Sequence, residues 1–448
     1  MCEYDELEYC SSTQPRSPLC VLTLCSMSRP LQKRAFIVGG HITKFIGARN
    51  PDFIWKKHQD FGLKNNPTLE EYITTTVNGC FESTGVEAAA IDKMWIGNFA
   101  GELFSNQGHL GAALVGAHPD LYNKPSMRVE GACASGGLAF ACALDSIQAG
   151  SSDVTLVAGA EVQTTVSARV GGDYLARASH YSRQRGIDDF TSPALFARRI
   201  KACMSELGYT FDDLGALTAK AYANANLNPK AHMTAVKMSQ EIASSSCDQN
   251  PCFLGNEEYS KYLRLSDCSQ VSDGGAALIL VSEEGLLKLG INMDQCVEVK
   301  GVGQATGNLY TDSEPTSMPT VAAAAQIAFD QSGVCTNDIQ VAEVHDCFTV
   351  TEMLMMESLG FAKRGEGKNM VRNGDLNING RLPCNTGGGL VGFGHPVGAT
   401  GVKQLLEIHR QMKGQCGAYQ INTMPEYGIA ANMGGDDKTA VVSIIKNC

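Results

Sequence analysis

The sequence predicts an α/β protein whose strands are covered on both faces. Three observations lead there. Segments such as DVTLVAGAE (153–161) are apolar without alternation, the pattern of a strand buried on both sides. Strand-like and helix-like runs follow one another through most of the chain. Glycine is abundant, 47 of 448 residues, which suits many tight strand–helix turns.

The elements follow in order. AFIVGGHITKF (35–45) reads as a first buried strand, and LEEYITTTVNGCFESTG (69–85) as a helix ending at Gly85. IDKMWIGNF (91–99) and SMRVEG (126–131) are the next strands, and a helix of small residues begins near Cys133. The strand at 153–161 is the fourth, and GAALILVSEEGLLKLG (275–290) returns to the same apolar style. The second part repeats the order: strand 296–304, helix 320–333, strand 338–348 running into a loop, helix 349–361, turn and long helix 394–415, and a closing strand pair at 427–435 and 438–445. The repetition suggests two related halves rich in βαβ units.

Residues 162–265 break the rhythm with polar, Arg-rich and Asn/Pro-rich stretches. They read as an inserted loop domain with a solvated face. Between 160 and 240 there are ten Lys/Arg against seven Asp/Glu. A sharper reading gives some of Arg169, Arg177, Arg183, Arg185, Arg198, Arg199 and Lys201 to a phosphorylated ligand.

The totals narrow the function. Hydrophobic residues make up 44% and charged residues 19%, enough for a sizeable core in two or three domains. A net charge of −11 argues against nucleic acid or an anionic membrane as main partner. The 17 cysteines are scattered with no C-x-x-C pair, so they read as reduced thiols, and no metal site is expected. No apolar run approaches the roughly 18 residues of a membrane span. Residues 1–34 form an N-terminal extension. Its basic part, with Arg16, Arg29, Lys33 and Arg34, is like an organellar presequence, but Glu3, Asp5, Glu6 and Glu8 precede it, and a plain extension is an equal reading. The end, Lys446-Asn447-Cys448, is not the S-K-L peroxisomal signal.

Four spots are unlike plain core. In Val129-Glu130-Gly131-Ala132-Cys133-Ala134-Ser135-Gly136-Gly137 a cysteine sits where a strand turns into a helix, whose unpaired N–H groups favour a thiolate. The competing reading is an inert buried cysteine. His345-Asp346-Cys347-Phe348 lies just past a strand, where α/β folds place catalysts; the bland alternative is a histidine capping the next helix. GFGHPVGATG (392–401) puts His395 in a glycine-rich turn before a helix, as a base for a nearby cysteine or as an incidental residue of that turn. Asn432-Met433-Gly434-Gly435 is a hairpin turn whose amides could also contribute to an anion site.

These motifs together resemble the thiolase family, and within it the sterol-carrier-protein type. The resemblance runs from about residue 35 to the end. It rests on CASGG, SDGGAALIL (272–280), HDCF (345–348), GHPVGATG (394–401) and NMGG (432–435), in that order. HDCF is the most informative. Ordinary thiolases carry Asn-Glu-Ala-Phe there and a Cys-x-Gly near the C-terminus, where this chain has Asn432. The resemblance implies a thiolase fold: two βαβαβαββ halves forming a five-layered αβαβα core, with an N-terminal domain at 35–292 that includes the loop domain and a C-terminal domain at 293–448.

It also implies roles. Cys133 is the nucleophile and His395 takes its proton. His345 and His395 stabilise the oxyanion formed on the keto carbon of a 3-ketoacyl-CoA. Cys347 is the acid that protonates the departing acetyl-CoA carbanion and the base toward incoming CoA. The backbone N–H groups of Cys133 and Gly434 form a second oxyanion hole, and Ser269 contacts the CoA pantetheine. Coenzyme A is a substrate, with no tightly bound cofactor, and a homodimer is expected, housed in a mitochondrion or peroxisome-type organelle. The chain departs from its nearest relatives in EGACASGG, which lacks their usual Asn and Ser/Thr, and in SDGG for SDGA. Two rivals share the fold: a non-catalytic acyl-CoA-binding protein, and a condensing enzyme of the ketoacyl-synthase type. The intact Cys133, His345, Cys347 and His395 set argues against both.

Overall fold

A computed structural model describes residues 30–448, so most of the N-terminal extension and the targeting expectation lie outside the described residues. Nine strands form one mixed sheet: β1 (Ala35–Ile42), β2 (Lys93–Gly97), β3 (Ser126–Val129), β4 (Val154–Glu161), β5 (Gly274–Ser282), β6 (Val297–Thr306), β7 (Ile339–Val344), β8 (Tyr427–Gly434) and β9 (Thr439–Asn447). Their spatial order is β3-β2-β4-β5-β1-β6-β9-β8-β7. The join between β1 and β6 is short, Phe36 opposite Glu298 and Ile37 opposite Val297. The sheet therefore divides into two halves, β3-β2-β4-β5-β1 and β6-β9-β8-β7.

Among the described residues, seven helices have ten or more residues: α1 (Leu69–Thr84), α2 (Ser135–Gln148), α3 (Thr191–Leu207), α4 (Phe211–Leu227), α5 (Pro319–Ser332), α6 (Thr349–Ser358) and α7 (Thr400–Met412). Helix α1 is held at its start by a Thr68–Glu71 capping box and ends on Gly85 at φ +70°. Helices α2 and α7 form the middle layer. One core cluster joins Phe140 and Leu144 of α2 and Leu405 and Ile408 of α7 to Val157 and Leu278 of one half-sheet and Val341 and Ala430 of the other. The outer face of the first half packs on α1 through Ile73 and Val77, and that of the second on α5 and α6 through Ala324 and Met353. The result is the expected five-layered αβαβα stack.

Strands β4 and β5 are buried at every residue, as their unbroken apolar sequence requires. The segment at 162–265 differs from its sequence reading. It carries two 17-residue helices, α3 and α4. Their buried Arg199, Asp213 and Asn224 blur the apolar period, because these polar groups find internal partners instead of solvent.

Candidate active site

The site gathers four turns at one end of the middle layer. Strand β3 delivers the first. After it the chain reverses through Ala132, a non-glycine residue at φ +51°, so that Cys133 precedes α2 instead of entering it. Such a conformation costs on the order of 1–3 kcal/mol and persists only where neighbours enforce it. Here Glu130 Oε1 accepts from Ala132 N (2.6 Å), and the Ser135 hydroxyl accepts from Gly131 N (3.1 Å) while donating to Ala132 O (2.6 Å).

The second turn follows β7 and carries His345 and Cys347. Its bland alternative fails, because the residue that caps α6 is Phe348. Asp346 accepts from the amides of Leu390 (2.7 Å) and Val391 (3.4 Å), tying this turn to the loop ahead of His395. The third turn carries His395 into α7. The buried Glu161 carboxylate at the end of β4 accepts from Gly398 N (3.1 Å), Phe99 N (2.9 Å) and Ala100 N (3.1 Å), which fixes that turn against the end of β2. The approach is close: a Cβ on Gly398 would lie 2.4 Å from Gly97 O. The fourth turn ends β8.

These turns converge. The Cys133 sulfur and one ring nitrogen from each of His345 and His395 all lie within 4.8 Å of one another. The two imidazole rings stand edge to face, centroids 5.1 Å apart and planes at 86°. Cys133, Cys347 and His395 line one cavity of about 490 Å³. The same three close atoms would suit a thiolate-preferring metal such as zinc, at the expense of the free thiol.

Hydrogen bonds fix the tautomers in opposite senses. The Thr400 hydroxyl gives its proton to Pro396 O (3.2 Å), so it accepts from His395 Nδ1–H (2.6 Å). His395 Nε2 is left as a buried lone pair with no protein partner. At the other ring, Asn432 Oδ1 accepts from Gly137 N (3.1 Å), which makes its Nδ2 the donor. That Nδ2 donates to Cys133 O (3.0 Å) and to His345 Nδ1 (3.2 Å). His345 Nε2 therefore carries the hydrogen and is likewise unpartnered. One imidazole presents an acceptor and the other a donor.

Burial sets the charges. It pushes the Cys133 thiol up to about 12, with Glu161 and Glu130 adding to the effect, while the Gly435 amide and the residue's own N–H oppose it. The preformed thiolate expected from a helix start is thus not met: desolvation outweighs the backbone donors. Burial also lowers His395 to about 3, helped by the positive Lys403, and lowers His345 well below its usual value, helped by His395. Cys347 is raised by burial and by Cys133. The resting site holds neutral thiols and neutral imidazoles.

Ser269 lines the cavity, and its N–H donates to Cys347 O (2.8 Å). Gly434 pairs with Thr439 in the β8–β9 ladder, and Gly435, one residue on, is the one that lines the cavity and directs its amide at Cys133. Gly435 sits at φ +64°, where a Cβ would meet Ala178 O at 2.6 Å. Gly435, Thr400 and the orienting role of Asn432 were missed from the sequence, although all three stand inside the motifs quoted above.

Much of the rest of the cavity is apolar, with Gln163, His232, Gln270 and Asp436 among the polar exceptions. Leu175, Phe190, Phe196, Phe253 and Phe348 line it, and Phe196 stacks on Phe348 with centroids 4.3 Å apart. The seven basic residues offered to a phosphorylated ligand are committed to acids. Arg199 is fully buried against Asp436 and donates to the carbonyls of Glu314 and Ser317, a structural role that removes it from the ligand candidates. Arg198 joins it on Asp436, Arg177 and Arg185 hold Asp173, Arg169 meets Asp189, Arg183 meets Asp312 and Lys201 meets Glu258.

Comparison with known proteins agrees with this geometry. Residues 58–244 match the family model for the thiolase N-terminal domain, and 301–447 that for the thiolase C-terminal domain-like region. An acetyl-CoA acetyltransferase of Methanothermobacter thermautotrophicus is 34% identical over 386 residues, covering 86% of this chain and 96% of that protein. Human sterol carrier protein 2 is 26% identical, covering 87% of this chain and 68% of that one. The crystal structure of human mitochondrial 3-ketoacyl-CoA thiolase in complex with CoA superposes with a TM-score of 0.66 at 15% identity, covering 93% of this chain and 99% of that one. The chain belongs to the thiolase family, and by class it is an acyltransferase that cleaves or condenses CoA thioesters.

Proposed function

We propose that this thiolase cleaves 3-ketoacyl-CoA thioesters through an acyl-Cys133 intermediate, and that the opposed tautomers of His345 and His395 carry the chemistry. His395 Nε2 takes the Cys133 proton as the sulfur adds to the keto carbon. The oxyanion is met by His345 Nε2–H and the newly formed His395 Nε2–H. Collapse breaks the carbon–carbon bond and expels the carbanion of acetyl-CoA or propionyl-CoA, which takes the Cys347 proton. The Cys347 thiolate then removes the thiol proton of CoA, whose sulfur attacks acyl-Cys133. The shortened acyl-CoA leaves, and Cys133 recovers its proton from His395. Reversal of the same steps is Claisen condensation. A neutral thiol facing a neutral base suits this cycle, because proton and carbonyl addition move together.

The phenylalanine-lined cavity supports an acyl chain longer than acetyl as the natural substrate, in a degradative direction such as fatty-acid β-oxidation. In this reading Ser269, which lines the cavity, contacts the pantetheine, and the Gly435 amide meets the thioester oxygen. The exposed edge of β3, with Met127 half exposed beside Tyr122, supports pairing with a second copy as a homodimer. The basic residues before 35 support an organellar address. Steady-state thiolysis across a ladder of 3-ketoacyl-CoA lengths tests the substrate reading: kcat/KM should rise from the four-carbon substrate to longer chains. CoA-dependent cleavage absent at every length, with acyl-CoA still bound, would reject the enzyme reading.

A further inference from the structure

A second cavity, of about 610 Å³, opens at the opposite end of α7 from His395. The 13-residue helix separates the two by roughly 20 Å at 1.5 Å per residue. Where the catalytic cavity is lined by phenylalanines, this one is lined by Lys230, Arg410, Lys413, His41 and His409, from three separate parts of the chain. So dense a positive cluster is unusual in a protein of net charge −11.

Of the three cations only Arg410 is ion-paired among the described residues, with Glu407. Among the described residues, neither Lys230 nor Lys413 forms an ion pair with a carboxylate. Lys230 donates to the carbonyl of Ile42, and Lys413 to the carbonyl of Asp294 (2.7 Å) and the amide oxygen of Asn447 (2.7 Å). Two carboxylates act on the group, and the Cys448 and Cys296 thiols face Lys413 as well. Glu407 is engaged by Arg410 (2.9 Å) and by the Tyr419 hydroxyl (3.2 Å), and the Asp294 carboxylate acts on Lys413 from a distance. Some basic side chains are expected at a helix C-terminus, where they favour the last carbonyls. Lys230 and His41 lie outside α7, so the helix end does not explain them.

We propose that this cavity is an anion site for a small phosphorylated metabolite, distinct from the catalytic cavity. The two ammonium groups match phosphoryl oxygens, and Arg410, which donates to Glu407 and to the Gln415 carbonyl, adds positive charge beside them. The volume falls within the range of small-ligand sites, and the polar lining does not suit an acyl chain. The empty cluster is electrostatically uncomfortable: burial and Arg410 bring Lys230 down to about 8, and His41 and His409 fall to about 4 through burial and their cationic neighbours. A bound phosphate would reverse the push on Lys230 and draw a proton onto it.

Calorimetric titration of the full chain with pyrophosphate at pH 8 tests the site. Three proteins are compared: wild type, Lys230→Gln/Lys413→Gln, and Lys201→Gln at the loop domain. The expected result is saturable binding in wild type and in the Lys201 variant, at least tenfold weaker binding in the double variant, and unchanged acetoacetyl-CoA thiolysis by the double variant. Repeating the titration in buffers of different ionisation enthalpy should show proton uptake on binding, which simple ionic screening would not produce. No saturable binding to wild type, or equal affinity in the double variant, overturns the proposal. If the double variant does not fold, the half-buried Lys413→Gln alone gives the same comparison.

Discussion

The side-chain amide of Asn432 donates to His345 Nδ1 across 3.2 Å while its own oxygen is held by the Gly137 amide. That contact determines what His345 presents beside Cys133 and His395. With Nδ1 accepting, Nε2 must carry the hydrogen, and the ring can donate to an oxyanion but cannot act as a base. By the resemblance, Asn432 stands where ordinary thiolases carry a second cysteine, and here its amide orients an imidazole.

Asn432→Ala should therefore lower kcat with little change in KM, since it frees His345 to expose the wrong nitrogen. Loss of a single oxyanion donor costs about 10²–10³-fold in kcat, which sets the upper limit. Asn432→Asp should fare no better, because a carboxylate accepts at Nδ1 and moves the hydrogen there. Steady-state thiolysis of acetoacetyl-CoA checks both, and a kcat within twofold of wild type for the alanine variant would remove the orienting role.

Cys347→Ala should separate the two halves of the reaction. Cys133 and His395 remain, so mixing with acyl-CoA should still load one acyl group on Cys133, seen by intact mass. Carbon–carbon cleavage and condensation should both fall by about 10²–10⁴-fold, the usual range for a lost general acid or base. A variant that neither acylates nor condenses would place Cys347 in substrate binding instead.

The charge state of the empty site is open to titration. Cys133 is raised to about 12 by burial, so its reactive thiolate is scarce at neutral pH and grows as pH rises. Alkylation of Cys133 by iodoacetamide should be slow at pH 7 and climb steadily through pH 10 without levelling. His395, lowered to about 3, stays an unprotonated base at every pH above roughly 4, so it adds no acid limb near 6.5 to kcat/KM. An alkylation plateau below pH 8 would mean that a thiolate–imidazolium pair already exists at rest.

Much of this was legible in the sequence because the site is built from local turns. Strand ends at Val129, Val344 and Gly434 and the start of α7 each carry a motif whose residues announce the turn as well as the chemistry. What escaped depends on long-range packing. Helices α3 and α4 were read as loop because Arg199, Asp213 and Asn224 occupy inward positions, and only the fold supplies Asp436, Arg372 and the Asn385 carbonyl to meet them. Burial of Cys133 could not be weighed against the amides around it, so the thiolate expectation went the wrong way. The shift from Gly434 to Gly435 is a matter of which amide follows the last ladder pair, a one-residue distinction that sequence periodicity does not resolve.

Among the described residues the ladder between the two half-sheets has two opposed pairs, yet both halves press on the same pair of middle helices. Each half keeps an outer core of its own, but the middle core belongs to both. A chain severed near 292 would leave each fragment with a sheet face bare of its cover, and the first fragment would hold the nucleophile without the imidazoles that serve it. Completion of the shared middle core and assembly of the catalytic apparatus accordingly go together, reached only when the last third of the polypeptide has arrived.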